Sequence, residues 1–380
     1  MNSSRLLWEL ILYFLKLGAT GFGGPVALAA YMERDLVEKK KWVTPQEYRL
    51  GFALAQTMPG PLAAQLAIWM GFIRGGALGA ALTGIAFVFP SFCIVVAFAF
   101  LYVHYGELLW VRSVFHGIGP AVVAIVLLAA IRLIRKTLVH KALLWFIFAV
   151  LAVVTAYFRK ETGWLFIASG LLALIVYAPP KFLKNLKNSF FTFSWFMGPL
   201  SHLSWGEIYT HWSQILIYFG KAGTFIFGSG LVIVPFLYGG VVHEYHWLTE
   251  KQFIDAVAIG MITPGPVLIT VAFIGYLVSG FSGALLASLG IFAPCYLFTV
   301  IPGPYFKKYA DNAHLKAVVD GITAAAIGAI AGSVWILASG SIISRFSLGI
   351  AALSLILLAK FKIPEPIVVC VAGLVGFALF

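Results

Sequence analysis

A chain of 380 residues that is 61% hydrophobic and 11% charged, with 33 Phe and 11 Trp, excludes an ordinary soluble domain and describes an all-α integral membrane protein. The net charge of +12 is not a nucleic-acid-binding face, because the basic residues sit at the ends of apolar runs, where they orient the chain and meet lipid headgroups. Cys93, Cys295 and Cys370 all lie inside apolar runs without CxxC spacing, so they read as buried free thiols rather than disulfide partners or metal ligands.

Apolar segments that span, or nearly span, a bilayer run over residues 5–32, 48–73, 76–103, 113–134, 141–157 and 162–178. The order repeats over 212–238, 253–276, 279–301, 316–339, 342–359 and 365–380. The last two in each half are at the short limit for a crossing.

The opening helix, Leu6 to Thr20, carries Lys16 well inside its apolar run and is interrupted by Gly21-Phe-Gly-Gly-Pro25. Gly23 and Gly24 permit backbone angles closed to other residues and Pro25 suits a first helical turn, which predicts two half-helices with a joint. The run is a retained helix and not a cleaved signal peptide, because residues 14–23 belong to a repeat described below. Residues 33–41 read as a charged, solvated loop. Thr44-Pro-Gln-Glu47 then fits a capping box, and the helix that it starts runs to Met58-Pro-Gly-Pro61. Two prolines there remove backbone N–H groups and clash with the preceding turn. In hydrocarbon, such a break is tolerated only inside protein or beside a polar cavity, so it marks a site. Gly75 and Gly79 let two helices approach closely.

The same text recurs 205 positions later. Without a gap, Phe14, Lys16, Gly18, Phe22, Gly23, Trp42, Thr44, Pro59, Gly60, Pro61 and Gly75 fall on Phe219, Lys221, Gly223, Phe227, Gly228, Trp247, Thr249, Pro264, Gly265, Pro266 and Gly280. Residues 1–180 and 210–380 are therefore two copies of one unit, joined by a linker over 181–209. Thr249-Glu-Lys-Gln252 is the second capping box. The joint of the second copy reads Phe227-Gly228-Ser229-Gly230 and lacks the proline. His243-Glu-Tyr-His246 lacks the spacing of a helical metal site and reads as a solvated turn. No nucleophile elbow or phosphate-binding loop is present, so any energy comes from a gradient or the membrane potential unless a partner supplies it.

Loop charges set the orientation of the copies. The fourth loop of the first half is basic, with Arg132, Arg135, Lys136 and Lys141, while in the second half the third loop holds Lys307, Lys308 and Lys316. By the bias of Lys and Arg toward the cytoplasm, the copies are inverted repeats whose discontinuous helices meet near the midplane. Inversion needs an odd number of crossings between equivalent points. Either the linker crosses the membrane or one of the short or broken segments does not.

These features suit a small oxyanion. Half-helices starting after Pro25, Pro61 and Pro266 offer free N–H groups and positive dipole ends, and Lys16 and Lys221 add full charges. Hydrogen bonds to the anion come from Thr20, Gln56, Thr57, Gln65, Thr224, Ser229 and Thr263. Around them, Gly23, Gly24, Gly60, Gly228, Gly230, Gly265, Pro59 and Pro264 shape the breaks. Asp255 and Asp320 are the acidic residues near apolar helices that a coupled cation could use. No cofactor or metal is called for.

At GFGGP, WVTPQEYRLGFALAQTMPGP and the second TPGP, the chain resembles the chromate ion transporter family in its long, two-domain form. The resemblance implies export of chromate across the cell inner membrane, resistance to chromate, and competition by sulfate. It maps an FGGP motif to Phe22–Pro25 and PGP motifs to Pro59–Pro61 and Pro264–Pro266. A sulfate or other small-anion permease is the alternative, and a membrane-embedded lipid-handling enzyme a third reading. Glycine-rich faces permit a homodimer without requiring one.

Overall fold

The computed structural model describes residues 3–22, 24–138, 141–158, 163–179, 211–228, 230, 233–309 and 312–379. Gly23, Ser229 and the linker over 181–209 lie outside these described residues. Among the described residues four helices are long and apolar enough to cross a membrane: Leu62–Tyr105, Leu109–Arg135, Val267–Val300 and Ala313–Ser341. Shorter apolar helices accompany them, Ala142–Phe158 and Trp164–Tyr177 in the first half, Arg345–Ala359 and Glu365–Leu379 in the second. The protein is an all-α membrane protein, and its outer surface is correspondingly rich in exposed Leu, Ile and Phe. Cys93 and Cys370 belong to that surface, and only Cys295 is buried. Apolarity does not signal burial in a chain whose solvent is lipid.

The first half begins with α1 (Ser3–Thr20) and α2 (Gly24–Met32), followed by a π-helical stretch over Glu33–Lys39 where a loop was expected. The charged segment extends α2 and ends at Lys41, whose φ of 53° turns the chain toward Trp42. Next come α3 (Pro45–Thr57), the two-residue strand β1 (Gly60–Pro61), and α4 (Leu62–Tyr105). Both halves of the first capping box are formed: Thr44 Oγ1 accepts from the Glu47 amide at 3.2 Å, and Glu47 Oε2 accepts from the Thr44 amide at 2.8 Å. Then α5 (Leu109–Thr137), α6 (Ala142–Phe158) and α7 (Gly163–Tyr177) complete the half.

The second half repeats the helices but places its strand between the first two of them: α8 (His211–Thr224), β2 (Phe227–Gly228), α9 (Ile233–Tyr238), a π-helical stretch over Gly239–Glu244, and α10 (Glu250–Ile262). A 3₁₀ turn at Val267–Ile269 leads into α11 (Thr270–Val300), followed by α12 (Gly303–Tyr309), α13 (Ala313–Ser341), α14 (Arg345–Ala359) and α15 (Glu365–Leu379). Its capping box, at Thr249 and Gln252, is also complete. In the core, α13 packs on α6 and α7, α11 on α8 and α4, and α15 on α5, so the halves are interleaved.

Where joined half-helices were expected, the chain reverses. Tyr13 on α1 donates to the Tyr31 carbonyl on α2, and Gly21 abuts Leu28, so contacts close as the sequence approaches the joint. The same is true of α3 and the start of α4: Arg74 reaches Glu47, Trp69 Nε1 donates to the Glu47 carbonyl at 2.9 Å, and Gly51 lies under the Trp69 ring. Each break is therefore the tip of an antiparallel helical hairpin. Helix α3 has 13 residues, about 20 Å of rise, too short to cross a bilayer.

A further reversal divides α4 at Gly75 (φ −141°, ψ 19°) and Gly76 (φ 59°, ψ −150°), and α11 at Ser279 (φ −148°, ψ 33°) and Gly280 (φ 61°, ψ −151°). Beyond this turn Thr83 Oγ1 donates back to the Ala67 carbonyl at 2.8 Å. By backbone conformation Gly280 corresponds to Gly76 and not to Gly75. The two copies thus slip by one residue after the Pro-Gly-Pro motifs. Pro90 and Pro294 keep the new offset.

Arg74 holds the first hairpin shut. Its guanidinium donates to both carboxylate oxygens of Glu47, at 2.8 and 2.9 Å, and to the Trp42 carbonyl at 2.7 Å. Arg74 and the cap together pull the Glu47 carboxyl from 4.5 down to about 2. A lowered value means that the pair's contribution is whole above pH 4.5 and is lost as pH falls toward 2. Arg74→Ala should lower the melting stability in detergent by about 1–3 kcal/mol at neutral pH. It should also flatten the acid dependence between those values, and equal melting of variant and parent at pH 7 would exclude the clamp.

Candidate functional site

Two hydrogen bonds tie the hairpin tips together across the halves. The Gly60 amide donates to the Ile226 carbonyl at 2.6 Å, and the Gly265 amide donates to the Gly21 carbonyl at 2.8 Å. Residues 60 and 265 are repeat partners, as are 21 and 226, so each half makes the same bond to the other. Around the first bond β1 pairs in parallel with β2, Gly60 opposite Phe227 and Pro61 opposite Gly228. Such reciprocity is the mark of a two-fold relation between the halves.

The tips leave no room for side chains. Gly60 (φ 141°) and Gly265 (φ 89°) hold backbone angles that favour glycine. A Cβ on Gly60 would stand 2.7 Å from Gln65 Cδ, and one on Gly265 would meet Ser91 Oγ. Gln65 is fully buried. Its Nε2 donates to the Pro59 carbonyl at 2.8 Å, while its Oε1 has no partner among the described residues. Ser91 Oγ donates to the Gly18 carbonyl at 3.2 Å, fastening α4 to α1 beneath the second tip. Pro264 and Pro266 are buried beside it, Pro59 is half-buried, and a Cβ on Gly230 would stand 3.5 Å from the Leu268 amide nitrogen. No side chain caps the helical turns that start after Pro61 and Pro266.

The threonines are turned inward on their own helices. Thr20 Oγ1 donates to the Lys16 carbonyl, Thr57 to Ala53, Thr224 to Lys221 and Thr263 to Gly260, at 2.7–3.1 Å. Their protons are thus engaged, because a hydroxyl near a helix C-terminus finds an unpaired carbonyl in the turn before it. Gln56 is exposed at the end of α3.

Lys16 stands apart from the sealed tips. With Thr20 and Gly21 it lines an open cleft of about 790 Å³ between α1 and the π-helical stretch. Arg34, Lys39 and Lys40 share that cleft with Glu9 and Asp35. Asp35 is bridged by Arg34 at 3.0 Å and Lys39 at 3.2 Å, and Arg34 beside it holds its carboxyl below the ordinary value. Among the described residues Lys16 has no ion-pair partner. Gly21 connects the two regions, since it lines the cleft and its carbonyl receives the Gly265 amide. Lys221 is exposed at the equivalent place on α8, and Gly24 (φ 77°) and Pro25 open α2 with free space around Gly24. Arg34, Lys39 and Lys40 were read as a solvated loop, and Arg74 and Ser91 were not singled out at all. Arg74 alone left a mark, as a lone cation in an apolar run.

The family model described as Chromate transporter matches residues 8–174 and again residues 213–377. The chain belongs to the chromate transporter family. A chromate transport protein of Cupriavidus metallidurans is 52% identical over 378 residues, covering 98% of this chain and 93% of that protein. A probable chromate transport protein of Synechococcus elongatus is 49% identical over 374 residues, covering 97% and 95%. The chromate transport protein of Pseudomonas aeruginosa is 29% identical over 388 residues, covering 98% and 92%. No solved structure matches the chain. Membership makes it a membrane transport protein and not an enzyme.

Proposed function

We propose that this protein exports chromate from the cytoplasm through the inner membrane and thereby confers chromate resistance. The observation that carries the reading is the reciprocal pair of tip bonds, Gly60 to Ile226 and Gly265 to Gly21, beside a cleft that holds the unpaired charge of Lys16. Similarity to proteins named for chromate transport supplies the substrate. Swapped loop charges around a two-fold relation favour inverted repeats with their discontinuous hairpins meeting near the midplane. In this reading the cleft receives the dianion, and opening of the tips passes it to the equivalent face beside Lys221.

Direction follows from charge. A dianion leaving a cell that is negative inside gains about 4.6 kcal/mol per 100 mV, twice the single-charge value. Export is therefore driven by the potential, whereas uptake would need two or more cations. Labelled chromate should accumulate in inside-out vesicles when an inside-positive voltage is imposed, and excess sulfate, a tetrahedral dianion of similar size, should suppress it. Accumulation that does not respond to the imposed voltage at all would overturn the voltage-driven mechanism. Sulfate uptake without chromate uptake would favour the permease.

A further inference from the structure

The halves differ sharply at one buried contact. Asp255 on α10 is 3% exposed and accepts a 2.7 Å hydrogen bond from the hydroxyl of Tyr102, near the end of α4 in the other half. With the repeat offsets established above, the counterparts of Asp255 and Tyr102 are Leu50 and Phe306. Those two lie in one apolar cluster, with Phe306 1% exposed. The matching place in the first copy is therefore apolar, so packing does not demand a carboxyl in the second.

Two other partly buried acids are bridged by cations: Glu47 by Arg74 at 2.8 Å and Asp320 by Lys141 at 2.6 Å. Asp255 has no ion-pair partner among the described residues. Lys251, one turn earlier on α10 and exposed, acts on it without bridging. A carboxylate removed from water and met by one neutral donor is a costly group, and in membrane proteins such groups mark proton or ion pathways.

Other elements packed on α10 bring few charges to bear. On α5, His116 and Arg112 are exposed at the rim. Tyr238 on α9 donates to Glu250 at 2.6 Å, and the His243 ring of the π-helical stretch lies 5.0 Å from the Tyr238 ring. On α15, Glu365 stands 3.9 Å from Arg132, α11 carries no charged residue, and Asp320 of α13 is taken by Lys141. Glu244 ends the π-helical stretch and is exposed.

We propose that Asp255 is a proton-binding site gated by the Tyr102 hydroxyl, loaded and emptied once per transport cycle, so that the anion moves against or with a proton. The site rests on the transport reading above and adds a second driving ion to it. Because Tyr102 and Asp255 belong to different halves, any relative movement of the halves breaks their bond. A path for water then opens from the Lys251 and His116 rim, and the carboxyl exchanges its proton with one face. Re-forming the bond closes that access.

The test uses the full chain in proteoliposomes with an entrapped pH dye, at clamped zero voltage. Chromate should evoke proton movement in the parent protein, and a pH gradient should stimulate chromate flux several-fold. Asp255→Asn should lose both responses, and Tyr102→Phe should shift the pH of half-maximal flux by about one unit. An infrared difference spectrum between acid and neutral samples reads the carboxyl independently of transport: the band of a buried carboxylic acid should vanish in Asp255→Asn. Proton movement at the parental rate in Asp255→Asn, or an unchanged infrared band, would overturn the site. A parent that moves chromate under voltage yet shows neither proton response would overturn the site alone, while a parent that moves no chromate would overturn the transport reading and the site with it.

Discussion

Gly265→Ala is expected to abolish chromate transport and to destabilise the protein. Its φ of 89° is strained for any residue with a Cβ, at about 1–3 kcal/mol. The new methyl would meet Ser91 Oγ and stand 3.2 Å from the Gly18 carbonyl, and a carbonyl in a packed helix has nowhere to go. Overpacking of this kind adds about 1–3 kcal/mol. More important for function, relief requires the second tip to back away from α1, which breaks the bond from Gly265 to Gly21. Gly60→Ala removes the reciprocal bond by the same logic. Its methyl meets the end of the Gln65 side chain, however, which can swing at the loss of one hydrogen bond, so its effect should be smaller. Gly24→Ala is the control. It carries the strain of φ 77° but meets nothing within 4 Å, so it should melt slightly earlier and still transport. Melting curves in detergent and chromate flux in vesicles check the order. Gly265→Ala with parental melting and parental flux would show that the tips do not take part.

Much of this architecture was legible in the sequence because it depends on local chemistry. A Thr followed three residues later by Glu or Gln starts a helix by satisfying its first amides, and a Pro-Gly-Pro ends one by removing them. Both rules act within a few residues, and Thr44, Thr249, Pro59 and Pro264 obey them. The reversal at each break depends on contacts far along the chain. Gly51 beneath Trp69 and Glu47 against Arg74 decide that α3 folds back on α4, and no periodicity in either helix records that pairing. The one-residue slip was readable in principle, since Gly71 and Gly79 recur as Gly275 and Gly283, closely packed in each copy. The expected hydrogen-bond donors illustrate a different limit. Residue type told that Thr20, Thr57, Thr224 and Thr263 carry protons to give, but each hydroxyl gives its proton to a carbonyl three or four residues back. Asp255 stood out in the sequence as an acid near an apolar helix, but its partner 153 residues away and the apolar pair at the matching place did not.

Lys16→Ala should reduce chromate flux to less than about a tenth while leaving insertion and melting unchanged, because Lys16 is exposed and bonds to nothing through its ammonium group among the described residues. A tenfold loss corresponds to about 1.4 kcal/mol. That is a modest demand on one full charge facing a dianion in a cleft walled by Leu12, Tyr13 and Leu17, where water screens less than in bulk. The other cations of the cleft cannot replace it, since Arg34 and Lys39 are committed to Asp35 and Lys40 lies over the Trp42 ring at 3.9 Å. Lys16→Arg keeps the charge and should keep most of the flux. If the role is to collect the anion, the loss in Lys16→Ala appears as a raised KM and weakens with added salt. If Lys16 follows the anion through the tips, kcat falls as well and salt has little effect. Lys221→Ala separates the halves: by symmetry it should act on release, lowering kcat at saturating chromate with KM unchanged. Parental flux in Lys16→Ala would move the binding site away from this cleft and toward the sealed tips.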